Sequence, residues 1–236
     1  MKTTIVILSY NNLEITKRCI EMVEENTDQN KFNLILIDNG SSDGTSEFLL
    51  TKNRHRILLN TENLGVIKGR NQGFKLFESD SNDFICFLDN DQFVEKKWLE
   101  QYYDYMISFN IDVAGAEAWL MNDRFLPVYQ CRKNSEPYSY VSCCGMFIKR
   151  SVVAECGFFD EMFSPAYFED PDFCFRAKEK GFRVGWNADA KIIHMPHQTL
   201  GKNPHKVAIF QNSYNNFKMK WNGKKILPIR NMENSR

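Results

Sequence analysis

Along the first hundred residues of this chain, short apolar runs alternate with stretches of helical period, a pattern that few folds accept. Strand-length runs lie near 3–9, 33–38, 56–60 and 83–89. Between and after them, near 12–26, 44–53, 66–78 and 96–108, apolar residues recur at helical spacing. Strands joined by helices in this order build a mainly parallel sheet covered on both faces, so the chain reads as α/β with a Rossmann-like central sheet and flanking helices. The run Phe84-Ile85-Cys86-Phe87-Leu88 ends abruptly in Asp89-Asn90-Asp91. A strand apolar on both faces is buried, and the C-terminal edge of such a sheet is where ligands collect. Two acids one residue apart at that edge suit Mg²⁺ or Mn²⁺, hard cations held through carboxylates and the phosphates of a nucleotide. The competing reading is a polar turn before the next helix.

The length of 236 residues and 43% hydrophobic content fit one domain with a sizeable core. Lys plus Arg and Asp plus Glu both total 30, so no net field favours nucleic acid as a partner. The seven cysteines, at 19, 86, 131, 143, 144, 156 and 174, form no CxxC pair and sit largely in apolar runs. That is the distribution of reduced, buried thiols, which points to the cytoplasm. The opening run Thr4-Ile5-Val6-Ile7-Leu8 is too short for the apolar core of a signal peptide, and no stretch of about 18 apolar residues is present to span a bilayer.

Polar clusters follow three of the predicted strands: Ser9-Tyr10-Asn11-Asn12, Asp38-Asn39-Gly40 and Asp89-Asn90-Asp91. Tyr10 can stack on a base and Asp38 can accept from a base N–H or a ribose hydroxyl. Taken singly, each fits a turn residue or helix cap better. The segment Asn63-Leu64-Gly65 through Lys68-Gly69-Arg70-Asn71-Gln72-Gly73 reads as a loop entering a helix, with two cations and three glycines suited to an anion or a base carbonyl. Its glycine spacing is not GxGxxG, which weighs against a dinucleotide dehydrogenase.

Further strands are expected near 112–118, 141–149, 182–186 and 190–194, with a helix near 170–180 and an irregular loop over the site at 119–140. In Phe168-Glu169-Asp170-Pro171-Asp172-Phe173-Cys174-Phe175-Arg176, Pro171 fits a first helical turn, Asp170 the N-cap, and Asp172 with Arg176 an i,i+4 ion pair. A carboxylate at a helix start in partly apolar surroundings also suits a general base. The run Ile192-Ile193-His194 ends in an imidazole that can complete a metal site, and Met195-Pro196-His197 follows. Residues 200–236 read as a basic helical tail, with Lys218, Lys220, Lys224 and Lys225 among its cations, Glu233 as its one acid, and Phe210, Tyr214 and Phe217 at helical spacing. The helix is expected to dock on the catalytic domain, and its basic face to make weak contact with an anionic membrane.

Together the segments VILSYNN, IDNGSSDGT, NLGVIKGRNQG, FLDND, CCGMFIKR, FFDE and FEDPDFCFR, followed by the strand-end His194, resemble in residue type and order the inverting glycosyltransferases of family 2, which have the GT-A fold. The resemblance covers residues 3 to about 195. It implies a catalytic domain at 1–199, with a nucleotide-binding half at 1–91 and an acceptor-binding half at 92–199. It assigns Ser9, Tyr10, Asn11, Asp38, Asn39, Lys68, Arg70, Asp89, Asn90 and Gly145 to the donor nucleotide. Asp91, with Asp89 and His194, is assigned to Mn²⁺ or Mg²⁺, and Asp170, with Glu169 beside it, to the catalytic base. The implied partners are a nucleoside-diphosphate sugar and a glycan, lipid-linked or protein acceptor, in glycan or cell-surface polysaccharide assembly at or near the inner face of the membrane. Cys143-Cys144-Gly145 stands where Gly-Gly is common in the family, and the QxxRW motif of processive synthases is absent. The competing functions are a nucleotidyltransferase and a catalytically silent binding protein of the same fold.

Overall fold

The computed structural model describes residues 1–195, 204–225 and 228–229. Its first half alternates strands β1 (Thr3–Ser9), β2 (Phe32–Asp38), β3 (Arg56–Leu59) and β4 (Phe84–Asp89) with helices α1 (Leu13–Asn26), α2 (Thr45–Thr51) and α3 (Val66–Glu78). A short strand β5 (Gln92–Val94) and helix α4 (Trp98–Ser108) follow. The second half adds β6 (Val113–Gly115), β7 (Ala118–Met121), β8 (Pro127–Gln130), β9 (Tyr140–Val141) and β10 (Met146–Lys149). Next come α5 (Arg150–Cys156), α6 (Glu169–Glu179), β11 (Val184–Trp186), β12 (Ile192–His194) and α7 (Lys206–Trp221).

The main sheet has seven strands in the order β11-β6-β10-β4-β1-β2-β3, parallel except for β10, which runs against both of its neighbours. All seven residues of β1 are buried. Ile5 and Ile7 enter the hydrophobic cluster on one face, with Cys19 and Ile20 of α1, while Val6 and Leu8 enter the other, with Phe74 and Phe77 of α3. Burial on both faces explains the unbroken apolar runs. The register pairs Ser9 with Asp38 and Leu8 with Asp89, which brings three polar strand ends to one edge.

Several expectations change. Helix α3 covers the expected 66–78, so within the segment read as a loop entering a helix, Lys68 and Arg70 lie on the helix itself. The glycines there serve packing: a Cβ on Gly69 would lie 2.7 Å from Leu8 Cδ1, and one on Gly73 2.7 Å from Val6 Cγ1. Residues 119–140 are not one irregular loop, because β7, β8 and β9 form a three-stranded sheet in the order β8-β7-β9. Asn122 Oδ1 accepts from the Arg124 and Leu126 amides to close the β7–β8 turn, and Pro127 opens an edge strand, where a missing N–H is tolerated. The strands expected at 112–118 and 141–149 each break in two, and α5 follows β10 directly.

Helix α7 packs into the same cluster as α6. Phe217 is fully buried against Phe125, Phe163, Phe168 and Phe175, and Ser213 Oγ donates to the carbonyls of Phe163 and Ala166. Lys220 Nζ lies 2.7 Å from both Asp160 and the buried Asp172. Lys224 is paired with Glu179. His197 and the tail residues Lys202, Arg230, Glu233 and Arg236 lie outside the described residues.

Candidate active site

The site forms where β4 ends. In the turn that follows, the Asp89 amide donates to Gln92 Oε1, and Asn90 Nδ2 donates to Thr16 Oγ1 at 2.8 Å and to the Asn11 carbonyl at 3.2 Å. Asn90 therefore ties the Asp89–Asp91 turn to the start of α1 and the loop before it. Asp91 is 8% exposed, and its Oδ1 has no hydrogen-bond partner among the described residues.

A two-stranded ladder brings the distant imidazole here. β12 pairs antiparallel with β5, His194 opposite Gln92, and the Met195 amide donates to the Asp91 carbonyl at 3.0 Å. His194 Nε2 then lies 3.5 Å from Asp91 Oδ1, while Nδ1 lies 2.9 Å from Glu117 Oε1. Burial alone favours a neutral ring, but the two flanking carboxylates outweigh it and push the His194 pKa up to about 10.

On the other side of Asp89 is Arg70, 5% exposed. Its Nη2 lies 2.7 Å from Asp89 Oδ1, its Nη1 3.1 Å from Glu169 Oε1 and 4.0 Å from Asp170 Oδ1. One guanidinium thus bonds Asp89 and Glu169 and faces Asp170, carboxyl groups from two distant stretches of chain, with too little charge to balance all three. Arg70, expected to hold the donor nucleoside, is here paired with Asp89 and Glu169.

Asp170 is not the N-cap of α6. Phe168, at φ 69°, holds that position, and the Asp172 amide donates to its carbonyl. The helix starts two residues early because Tyr167 and Phe168 both adopt left-handed backbone before it. Asp170 thus lies inside the first turn of α6, between Glu169 and Pro171. Burial and the adjacent Glu169 charge push its carboxyl well above the usual range, against the pull of Arg70. Burial likewise raises Glu169, again opposed by Arg70. Glu169 is the more enclosed, its side chain 7% exposed against 19% for Asp170. The expected Asp172–Arg176 pair is present at 2.8 Å.

The remaining expected donor residues divide into committed and available groups. Asn39 spends its whole amide inside the protein: Oδ1 accepts from Asn60 Nδ2 and the Leu64 amide, and Nδ2 donates to Asn63 Oδ1 and the Gly65 carbonyl. The side-chain amide thus has its full complement of hydrogen bonds within the protein. Asp38 accepts from the Ser41 amide and from the hydroxyls of Ser41 and Ser46. Asn11, at φ 54°, accepts from the Ser42 amide. Ser9 Oγ, by contrast, is buried without a partner among the described residues, Tyr10 is half-buried, and Lys68 is exposed. Gly145 has φ 64°, and a Cβ there would lie 2.5 Å from Ile192 Cδ1, so the residue keeps β12 close to the sheet.

Sequence reasoning missed Glu117. Its signal was an acid ending a strand-like run, as at Asp38 and Asp89, hidden by reading 112–118 as one strand. Its Oε2 accepts from Ser142 Oγ, and carboxylate, Cys144 Sγ and His194 lie within 4.8 Å of one another.

The family model described as Glycosyl transferase family 2 matches residues 4–153. Glycosyltransferase AglE of Haloferax volcanii is 30% identical over 117 residues, 48% of this chain and 38% of that protein. Glycosyltransferase GlyA of Streptococcus pneumoniae is 25% identical over 125 residues, 52% of this chain and 17% of that protein. Among solved structures, GalNAc-T7 with UDP, GalNAc and Mn²⁺ superposes with a TM-score of 0.74 at 13% identity, covering 92% of this chain and 47% of that one. S. aureus TarS superposes with a TM-score of 0.60 at 18% identity, covering 80% and 35%. The chain spans less than half the length of each of these relatives. The fold they share with it is GT-A.

Proposed function

The chain belongs to glycosyl transferase family 2, and we propose that it transfers a sugar from a nucleoside-diphosphate donor to an acceptor hydroxyl with inversion, in a metal-dependent reaction. The observation that carries this reading is the Arg70 bridge. It links Asp89, at the strand edge where a nucleotide binds, to the acids that open α6. A base and a donor edge are thus spaced across one guanidinium.

Of the two acids, Asp170 is the better base. Glu169 hydrogen-bonds Arg70 and its side chain is 7% exposed, whereas Asp170 makes no hydrogen bond to Arg70 and is 19% exposed; each has one buried oxygen without a partner among the described residues. A carboxyl held above its usual range is poised to take a proton near neutral pH. In this account Asp170 accepts the acceptor hydroxyl's proton as that oxygen attacks the anomeric carbon opposite the diphosphate, and one displacement inverts the centre. Ser9, Tyr10 and Asp38 line the nucleoside end.

Asp91 and His194 fit a divalent cation. A buried carboxylate oxygen without a partner beside an imidazole nitrogen is a donor set that Mn²⁺ accepts. Asp89 is less suited as a ligand, since Oδ1 already takes Arg70. Bound there, the cation supplies charge neutralisation for the departing diphosphate. GalNAc-T7, solved with UDP, GalNAc and Mn²⁺, makes UDP-sugars with Mn²⁺ the first donors to try. The acceptor is proposed to be a glycan, a lipid-linked sugar or a protein. Among the described residues no helix is long and apolar enough to cross a membrane; weak contact through Lys218 and the exposed Val207 and Met219 of α7 suits a lipid-linked acceptor.

The test is a panel of nucleotide sugars with Mn²⁺, followed by product analysis. Release of nucleoside diphosphate supports the proposal, and release of pyrophosphate supports the nucleotidyltransferase alternative.

A further inference from the structure

We infer that Glu117 is a positioning residue for the metal: it fixes the ring of His194 so that Nε2 faces Asp91, without itself binding the ion. The inference rests on the metal reading above and extends it to a residue that neither the family resemblance nor the motif pattern assigns.

The two nitrogens of His194 face different carboxylates. Nδ1 is 2.9 Å from Glu117 Oε1, a hydrogen-bond distance, whereas Nε2 is 3.5 Å from an Asp91 oxygen that has no hydrogen-bond partner among the described residues. When a cation displaces the proton from Nε2, a ring that still donates Nδ1–H to a carboxylate presents Nε2 as the ligand, in a fixed tautomer and ring plane. The alternative is that Glu117, Cys144 and the Nδ1 side of His194 cage an ion directly, and their N, S and O atoms would suit zinc. The spacing argues against it. Two ligands each about 2.0–2.2 Å from one ion in tetrahedral geometry lie more than about 3 Å apart, so 2.9 Å is a hydrogen bond and leaves an ion no seat.

Glu117 is itself held. It lies between β6 and β7, its carbonyl accepts from the Ser142 amide and its Oε2 from Ser142 Oγ. The strand break at Ala116-Glu117, which interrupts the run expected at 112–118, is what turns this carboxylate toward β12.

The experiment is Mn²⁺ titration of the full chain followed by electron paramagnetic resonance, on the wild type and on Glu117→Gln, Glu117→Ala, His194→Ala and the double variant Glu117→Ala with His194→Ala. Losing such a carboxylate partner commonly weakens metal binding about 10–100-fold. Glu117→Ala is therefore expected to weaken Mn²⁺ within that range, and Glu117→Gln by less, because its amide oxygen still accepts from Nδ1–H. In the His194→Ala background, Glu117→Ala is expected to add nothing. A ¹⁵N spectrum of the Mg²⁺-loaded wild type should show His194 protonated at Nδ1, and the same spectrum of Glu117→Ala should show that tautomer lost. Wild-type affinity in Glu117→Ala, or a further loss in the double variant, overturns the positioning role while leaving the metal reading intact. A wild type that takes up no Mn²⁺ overturns both. Near-isosteric Glu117→Gln serves as the folded control if the alanine variant melts early.

Discussion

Arg70 Nη2 lies 2.7 Å from Asp89 Oδ1, although one residue sits inside helix α3 and the other ends strand β4. The contact exists because Gly69 and Gly73 let α3 lie directly on β1, next to β4. Truncating Arg70 would strand Asp89, Glu169 and Asp170 around an uncompensated hole. Breaking a buried pair in this way costs about 3–5 kcal/mol. Arg70→Met is accordingly expected to lower stability by an amount of that order in urea denaturation. Arg70→Lys should recover only part of it, since an ammonium cannot reach Asp89 and Glu169 in the same fork.

Asp170→Asn separates catalysis from structure. The base should be lost, with turnover falling roughly a hundredfold to ten-thousandfold. Stability should hold or rise, because a carboxyl whose folded pKa is raised is destabilising once ionised, and the amide removes that charge. The sign also sets the pH profile. Activity of the wild type should climb with pH through a limb above the ordinary carboxylate range, and the limb should vanish in Asp170→Asn. Full activity with an unchanged melting temperature would move the base to Glu169.

Glu24 offers a stability test far from the site. Burial alone would raise its pKa, but hydrogen bonds from Lys52, His55 and Arg54 hold it at about 2, below its ordinary 4.5. A depressed carboxylate contributes stability that is present above the unfolded value and is lost as pH falls through the folded one. The melting temperature of Glu24→Gln should therefore lie below that of the wild type at pH 6, and the gap should close between pH 4.5 and 2. A gap independent of pH would contradict the assignment.

The basic helix α7 should bind anionic vesicles weakly. Lys220 and Lys224 already face Asp160, Asp172 and Glu179, which leaves less charge for a membrane than the sequence suggests. In sedimentation, Lys218→Glu should abolish a low-salt association that high salt also removes. Lys220→Glu should instead lower thermal stability, through repulsion with Asp172. Absence of low-salt binding would remove the membrane contact from the account.

The parallel sheet was legible because strands buried on both faces leave unbroken apolar runs such as Phe84–Leu88, and because their polar ends share one edge. What the sequence hid depends on side chains meeting across the fold. Lys68 and Arg70 read as cations at a helix start suited to an anion, and nothing in the sequence shows that Arg70 pairs with acids across the fold or that Gly69 and Gly73 are small so that the helix can touch Leu8 and Val6. Asn39 reads as a polar strand end, and the four hydrogen bonds its side chain makes to neighbouring loops are not visible in the sequence. Glu117 falls in the gap between two strands that period-2 reasoning joined into one. Asp170 was misplaced by two positions because a left-handed Phe168 cannot be anticipated from residue type, bulky side chains being rare in that region.

The most direct measurement follows the products of a nucleotide-sugar panel in excess EDTA and then with Mn²⁺ restored, for the wild type and for Asp91→Asn. The account predicts nucleoside diphosphate in step with glycosylated product of inverted anomeric configuration, abolished by EDTA, recovered with Mn²⁺ in the wild type and not recovered in Asp91→Asn. Pyrophosphate as the released product, a retained anomer, or undiminished transfer in EDTA would contradict it.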